Sequence, residues 1–154
     1  MTTIRAATDA DAPAIARLMT QLGYPQDDSM ARARVAASTA HGHVVFVAEA
    51  TGGGAIVGSI QVGALASLEN DPFAQILALV VDENVRGQRV GAQLVARAVA
   101  WASERGYAKL RVRTNVVRKD AHRFYEREGF RLLKEQRVYV RDVILSGAKE
   151  LAGQ

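Results

Sequence analysis

The chain has 154 residues and a formal charge of +4, with 49% hydrophobic and 23% charged residues. That is the size and composition of one folded domain, not of a disordered or membrane-embedded chain. The absence of cysteine excludes disulfides, thiolate metal sites and a cysteine nucleophile. No basic segment followed by an apolar run opens the chain, and no stretch approaches the roughly 20 apolar residues of a membrane span. A cytoplasmic address with no membrane partner is therefore expected. Charge is unevenly spread: residues 1–70 hold 4 Lys/Arg against 6 Asp/Glu, and residues 71–154 hold 16 against 10, so −2 is followed by +6. An anionic ligand is favoured by the second half, although solvated Arg on helix and strand faces explains such an excess more simply than nucleic acid does.

In chain order, Thr3 to Ala7 reads as a short strand, and Thr8 with Asp11 is spaced like a capping box that starts a helix. Ile15, Leu18, Met19 and Leu22 recur at helical spacing until Gly23 and Pro25 stop them. A second, Ala-rich helix is expected from Ser29 to Ala40. The β-branched run HVVFVAEA (43–50) and its counterpart from Ala55 to Val62 flank a glycine-rich connection, the pattern of a hairpin. Gly52, Gly53 and Gly54 have neither a following helix nor a lysine, so they form a turn and not a phosphate loop. After the irregular ALASLENDPFA, Ile76 to Val81 is apolar on both faces, as in a sheet's interior. Leu94, Val95, Ala98, Trp101 and Ala102 mark one stripe of a helix from Gly91 to Arg105, capped by Gly106. Lys109 to Thr114 alternates as a half-buried strand, HRFYERE is a helix stopped by Gly129, and Arg131 to Val143 returns to strand character. The domain is expected to span 1–145, with 146–154 a tail. A mixed α/β sheet with helices on its faces follows.

The strand–turn–helix around ALVVDENVRGQRVGAQL places Arg86, Gly87 and Gly91 where a strand ends and a helix begins. Unpaired N–H groups of a first turn and the helix dipole stabilise a phosphate there. By itself this spacing also fits a plain βα connection that uses glycine to turn. RGQRVGAQL resembles the acyl-CoA signature of the GCN5-related N-acetyltransferase (GNAT) superfamily, with Arg86 and Gly91 at its outer positions and Arg89 replacing the inner glycine. NVVRKDAHRFYEREGF, from Asn115 to Phe130, is similar to the segment after that family's fifth strand. With IRxAT at the start, LGYP after the first helix and SLENDP before the central strand, the likeness extends over nearly the whole chain.

The resemblance implies a single-domain, mostly antiparallel mixed sheet flanked by helices, whose splayed central strand binds acyl-CoA. It implies N-acetyl transfer from acetyl-CoA to a primary amine by direct attack in a ternary complex. The pantetheine arm is expected along Leu79, Val80 and Val81, with an N–H near Val81 as oxyanion stabiliser. The pyrophosphate is expected on Arg86, Gly87, Gln88, Arg89, Val90, Gly91 and Ala92. Asn115 and His122 are expected beside CoA, and Tyr125 as the acid that protonates the leaving thiolate. Each also has an ordinary account: Leu79 and Val81 as core strand residues, Asn115 as a strand terminator, Tyr125 as helix packing. Many relatives carry a glutamate base early in the central strand; that position is Gln75 here, so Glu69 and Asp71 in the preceding loop, or a water relayed by Gln75, are the candidates. His41 and His43 have no third partner at metal-ligand spacing, and no metal is expected. The acidic first half favours a small cationic acceptor; a protein or peptide acceptor, or a non-catalytic acyl-CoA-binding module, are the alternatives. A homodimer is a further expectation from the resemblance.

Overall fold

A computed structural model describes residues 2–85, 87–114 and 116–145. Five strands, β1 (Thr2–Ala6), β2 (Val44–Ala50), β3 (Ile56–Leu65), β4 (Phe73–Val81) and β5 (Leu110–Val112), form one sheet in sequential order. The first four are antiparallel and β4–β5 is parallel. Helices α1 (Ala12–Leu22) and α2 (Asp28–Ala40) cover one face, while α3 (Val90–Glu104) covers the other; α4 (Lys119–Arg127) follows β5. This is the mixed, helix-flanked sheet expected from the alternating periodicities.

The two faces separate two apolar cores. Phe46, Ile60, Val62 and Ile76 pack against Leu94, Val95 and Trp101 of α3, while Val47, Ile56 and Val80 pack against Ile15 and Leu18 of α1. Alternate strand residues point to opposite faces, so neighbours in one strand serve different cores. Local signals set most boundaries. The Thr8 N–H donates to Asp11 Oδ2 at 2.8 Å, the expected capping box, and Asp27 Oδ1 caps α2 through the Met30 N–H at 2.8 Å. Asp11 is buried and meets Arg5 at 2.8 Å, and Arg5 also meets Glu49 at 2.7 Å. That pairing ties β1, the capping turn and β2 together.

Two expectations are corrected. The central strand begins three residues earlier than Ile76, at Phe73, because Phe73 and Ala74 are buried on opposite faces. Arg131 to Val143, expected as strand, form no strand and, with the two residues after them, are exposed throughout. Their β-branched character is a preference for a ladder, and a strand exists only where a partner edge supplies its hydrogen bonds. The tail 146–154 lies outside the described residues.

Candidate functional site at the open half of strand β4

Strand β4 is nine residues long, but β5 pairs with only Ala74, Gln75 and Ile76. From Leu77 to Val81 the side of β4 that faces β5 pairs with no strand among the described residues. The cause is local: in the β3–β4 register Val62 faces Ile76 and Gln61 faces Ala78, so Leu77 is an extra residue. A bulge of this kind bends a strand and ends regular pairing. Backbone N–H and C=O groups of Leu79 and Val81 therefore border a gap that an extended ligand with its own amides can enter, while Val80, in phase with Asp82 whose N–H donates to the Val57 carbonyl, aims its own at β3.

At the end of the gap the chain turns into α3. Asp82 is buried and accepts from the Asn84 N–H at 3.0 Å and from Arg17 at 2.8 Å. These contacts, the Asn84 N–H first, hold its carboxyl below the usual carboxylate range. Arg17 also donates to the Ile56 carbonyl at 3.0 Å, and Gln21 accepts from the Glu83 N–H at 3.1 Å. Helix α1 thereby pins the β4–α3 turn. Sequence reasoning passed over Asp82, Arg17 and Gln21, whose only signal was an acid directly after an apolar strand.

Gly87 has φ +88° and Arg89 φ +64°. Arg89 adopts the left-handed backbone that glycine takes without strain, at the position where the motif has glycine; its side chain is exposed. Arg89, the N-cap residue, makes no side-chain cap to the first turn of α3, so among the described residues the N–H groups of Val90, Gly91 and Ala92 are open to an anion. Gly91 has a second reason to be glycine. A Cβ there would stand 3.2 Å from the Phe124 ring and 3.6 Å from Val81 Cγ2. The first turn of α3, the end of β4 and α4 thus meet at one point.

Tyr125, next to Phe124 on α4, is half-buried, with its ring edge-on to Phe124 at 5.2 Å and to Phe130 at 5.6 Å. Burial raises its phenol above the ordinary tyrosine range, partly opposed by Arg118. His122 is half-buried on the same helix. The structure thus gathers Leu79–Val81, Gly87–Ala92 and α4. It does not bring Glu69 or Asp71 to them. Both are exposed in the loop before Phe73, and the six residue steps of strand from Phe73 to Leu79 span about 20 Å. Arg86 and Asn115 lie outside the described residues.

On the α1–α2 face, the same part of β4 borders a second space. A cleft of about 490 Å³ is lined by Ile15, Met19, Arg34 and Val35 of the helices and by Val45, Ser59, Gln61, Ala78 and Val80 of the sheet. Arg34 is the one charged residue of its lining. A neighbouring shallow depression, wide open to solvent, is lined by Ala37, Ser38, His41, His43 and Gln61. Among the described residues no group of three His, Cys, Asp or Glu could hold a metal, and no helix is long and apolar enough to cross a membrane.

Comparisons with known proteins agree with this geometry. A family model described as Acetyltransferase (GNAT) family matches residues 12–130. Aminoalkylphosphonate N-acetyltransferase of Salmonella typhimurium is 44% identical over 59 residues, a match spanning 38% of this chain and 38% of that protein. Among solved structures, one titled transcriptional regulator from Bacillus halodurans has a TM-score of 0.76 at 27% identity, over 92% of this chain and 100% of that one. An aminoglycoside N-acetyltransferase solved in complex with CoA has a TM-score of 0.80 at 18% identity, over 93% and 96% of the chains. That last likeness is one of fold.

Proposed function

We infer, for a chain that belongs to the acetyltransferase (GNAT) family and takes its acetyl group from acetyl-CoA, that the acceptor is the primary amine of a small molecule, attacked directly in a ternary complex. One observation carries the reading: the stretch 77–81 of β4 borders the gap toward β5 along its backbone edge and the cleft under α1 and α2 through Ala78 and Val80. A donor in the gap and an acceptor in the cleft would meet across one strand, which supplies the proximity a bimolecular transfer needs.

In this reading the pantetheine arm pairs with the backbone of Leu79–Val81, and the pyrophosphate rests on the N–H groups from Gly87 to Ala92, with Arg86 and Arg89 adding positive charge. Asn115 and His122 flank the arm. A strand N–H near Val81 stabilises the oxyanion of the tetrahedral intermediate. Tyr125 donates toward sulfur as the C–S bond breaks. Glu69 and Asp71, distant along β4, are poor candidates for the base. An encounter with nucleic acid is not needed for any step.

The cleft narrows the acceptor class. Its lining carries Arg34 and no carboxylate, so a polycation gains nothing there, whereas an amine bearing an anionic group at its far end does. The acidity of the first half sits elsewhere, for example in Asp11 and Glu49, which are engaged by Arg5. The partial match to an aminoalkylphosphonate N-acetyltransferase supports the same class. A homodimer also belongs to this reading, because the exposed apolar residues of 131–145 are not covered by any of the described residues.

The test is thiol release from acetyl-CoA with an aminoalkylphosphonate, spermidine, kanamycin and a lysine peptide. Turnover is expected with the aminoalkylphosphonate at a kcat/KM at least about tenfold above spermidine, roughly one anionic contact at 1.4 kcal/mol. Preference for spermidine or the peptide would overturn the acceptor class. Binding of acetyl-CoA without thiol release from any amine would make the chain an acyl-CoA-binding module.

A further inference from the structure

We propose that His43 is the proton acceptor that frees the acceptor amine for attack, working through a water at the wall formed by Ser38 and Gln61. The inference rests on the acetyl-transfer reading and supplies the base that reading lacks.

The case begins with Gly63. A Cβ there would stand 2.3 Å from Cδ2, 2.6 Å from Cγ and 2.7 Å from Nε2 of His43. Gly63 has no left-handed φ among the positive-φ glycines, so it is glycine for space: the imidazole lies directly on the β3 backbone. Gly63 faces Gln75 in the β3–β4 ladder, and directly opposed residues project to the same face about 5 Å apart. The imidazole therefore occupies the sheet face beside Gln75, on the side of the acceptor cleft.

The link to the cleft is a hydrogen-bonded pair. Gln61 Nε2 donates to Ser38 Oγ at 3.0 Å and faces His43 Nδ1 at 3.3 Å. Ser38 and Gln61 line both the cleft and the open depression beside His43. With an amide N–H facing it, Nδ1 presents a lone pair toward this wall. The titratable and charged residues of the two linings are Arg34, His41 and His43, with no carboxylate. A guanidinium cannot accept a proton. His41 is exposed and its Nδ1 lies 2.9 Å from the Ala37 carbonyl, a contact in which that nitrogen is the donor. His43 is left. It stands at the C-terminal end of α2: the His43 N–H donates to the Ser38 carbonyl at 2.9 Å and the His41 N–H to the Ala37 carbonyl at 3.1 Å.

The protons balance. The ammonium passes one through water to Nδ1, and the Gln61 amide turns its oxygen to the new N–H. The freed nitrogen lone pair forms the C–N bond to the thioester carbonyl carbon, the C–S bond breaks, and Tyr125 protonates the sulfur. A second proton from the nitrogen restores Tyr125. The third stays on the amide nitrogen, and His43 returns its proton to solvent.

The experiment compares wild type, His43→Gln and His43→Ala, using the best amine of the panel above across pH 6 to 10, with acetyl-CoA binding measured separately. General bases contribute about 10²–10⁴-fold. His43→Gln is expected to lose roughly 100-fold in kcat/KM for the amine and to shift the acid limb of the profile to higher pH, with acetyl-CoA affinity unchanged. In His43→Ala, the slot over Gly63 is the size of the missing ring, so added imidazole is expected to restore turnover. A His43→Gln enzyme with wild-type rate and pH profile overturns the proposal, as does a loss that imidazole does not relieve. Wild type that binds acetyl-CoA yet acetylates no amine overturns the transfer reading itself, and the base with it.

Discussion

Burial raises the Tyr125 phenol above its ordinary value, and the sign of that shift decides what the residue can do. Its active form as an acid is the protonated one, fully present below the ordinary value near 10 and lost only as pH rises through the higher folded value. An alkaline decline due to Tyr125 therefore lies above pH 10, clear of the region in which amines become free. The same shift makes full transfer to a thiolate of ordinary pKa near 8.5 uphill by more than about 2 kcal/mol, so donation is partial in the transition state. Tyr125→Phe is expected to lower kcat by roughly 10- to 100-fold while the dissociation constant for acetyl-CoA changes less than twofold. Turnover kinetics beside calorimetry would check both, and an unchanged kcat would remove the hydroxyl from the mechanism. The tyrosine could be singled out from its segment, but not the direction of its shift, which comes from the surroundings that the fold gives it.

The turn between β4 and α3 illustrates what an element adds to a motif. In sequence, Arg89 looks like a tolerated departure from a glycine. Its φ of +64° means that an ordinary side chain is held in a conformation costing about 1–2 kcal/mol. The contacts of Asp82 with Asn84 and Arg17 fix the start of the turn, and α3 fixes its end. Arg89→Gly relieves the strain but adds unfolded-state freedom worth about 0.5–1 kcal/mol, so a net gain of roughly 0.5–1 kcal/mol is expected, or a melting temperature higher by a few degrees. Thermal unfolding that shows no gain would mean that the backbone at Arg89 carries no strain. The helix, the strand before it and the glycines were legible because periodicity and turn chemistry are local. The bulge at Leu77 was not, since it is defined by the register against Val62 and Gln61 of another strand.

At the scale of the whole molecule, the segment after α4 is unlike the rest. Val138, Tyr139, Val140, Val143 and Ile144 are between 75% and 92% exposed, although each is a residue type that strands favour. Strand β5 ends the sheet among the described residues, immediately before α4 and this segment. Exchange of the segment onto the β5 edge of a second copy covers both, a low-cost route to a dimer. The full chain is then expected to sediment at about twice its 16.6 kDa, and Val138→Asp with Val140→Asp to return it to that mass without loss of acetyl-CoA binding. A full-length monomer at tens of micromolar, or a dimer indifferent to these substitutions, would refute the exchange. The amino-acid sequence by itself determined the single domain, the order of helices and strands as far as α4, the glycine-bearing turn before α3 and the family resemblance, because hydrophobic period, capping and glycine placement act between residues close in the chain. Only the tertiary structure decided that β4 is half open, that Asp82 and α1 pin the turn, that His43 lies on Gly63 near the cleft under α1 and α2 and that residues 131–145 pair with no strand among the described residues. These depend on register and on contacts between distant segments, which no local pattern encodes.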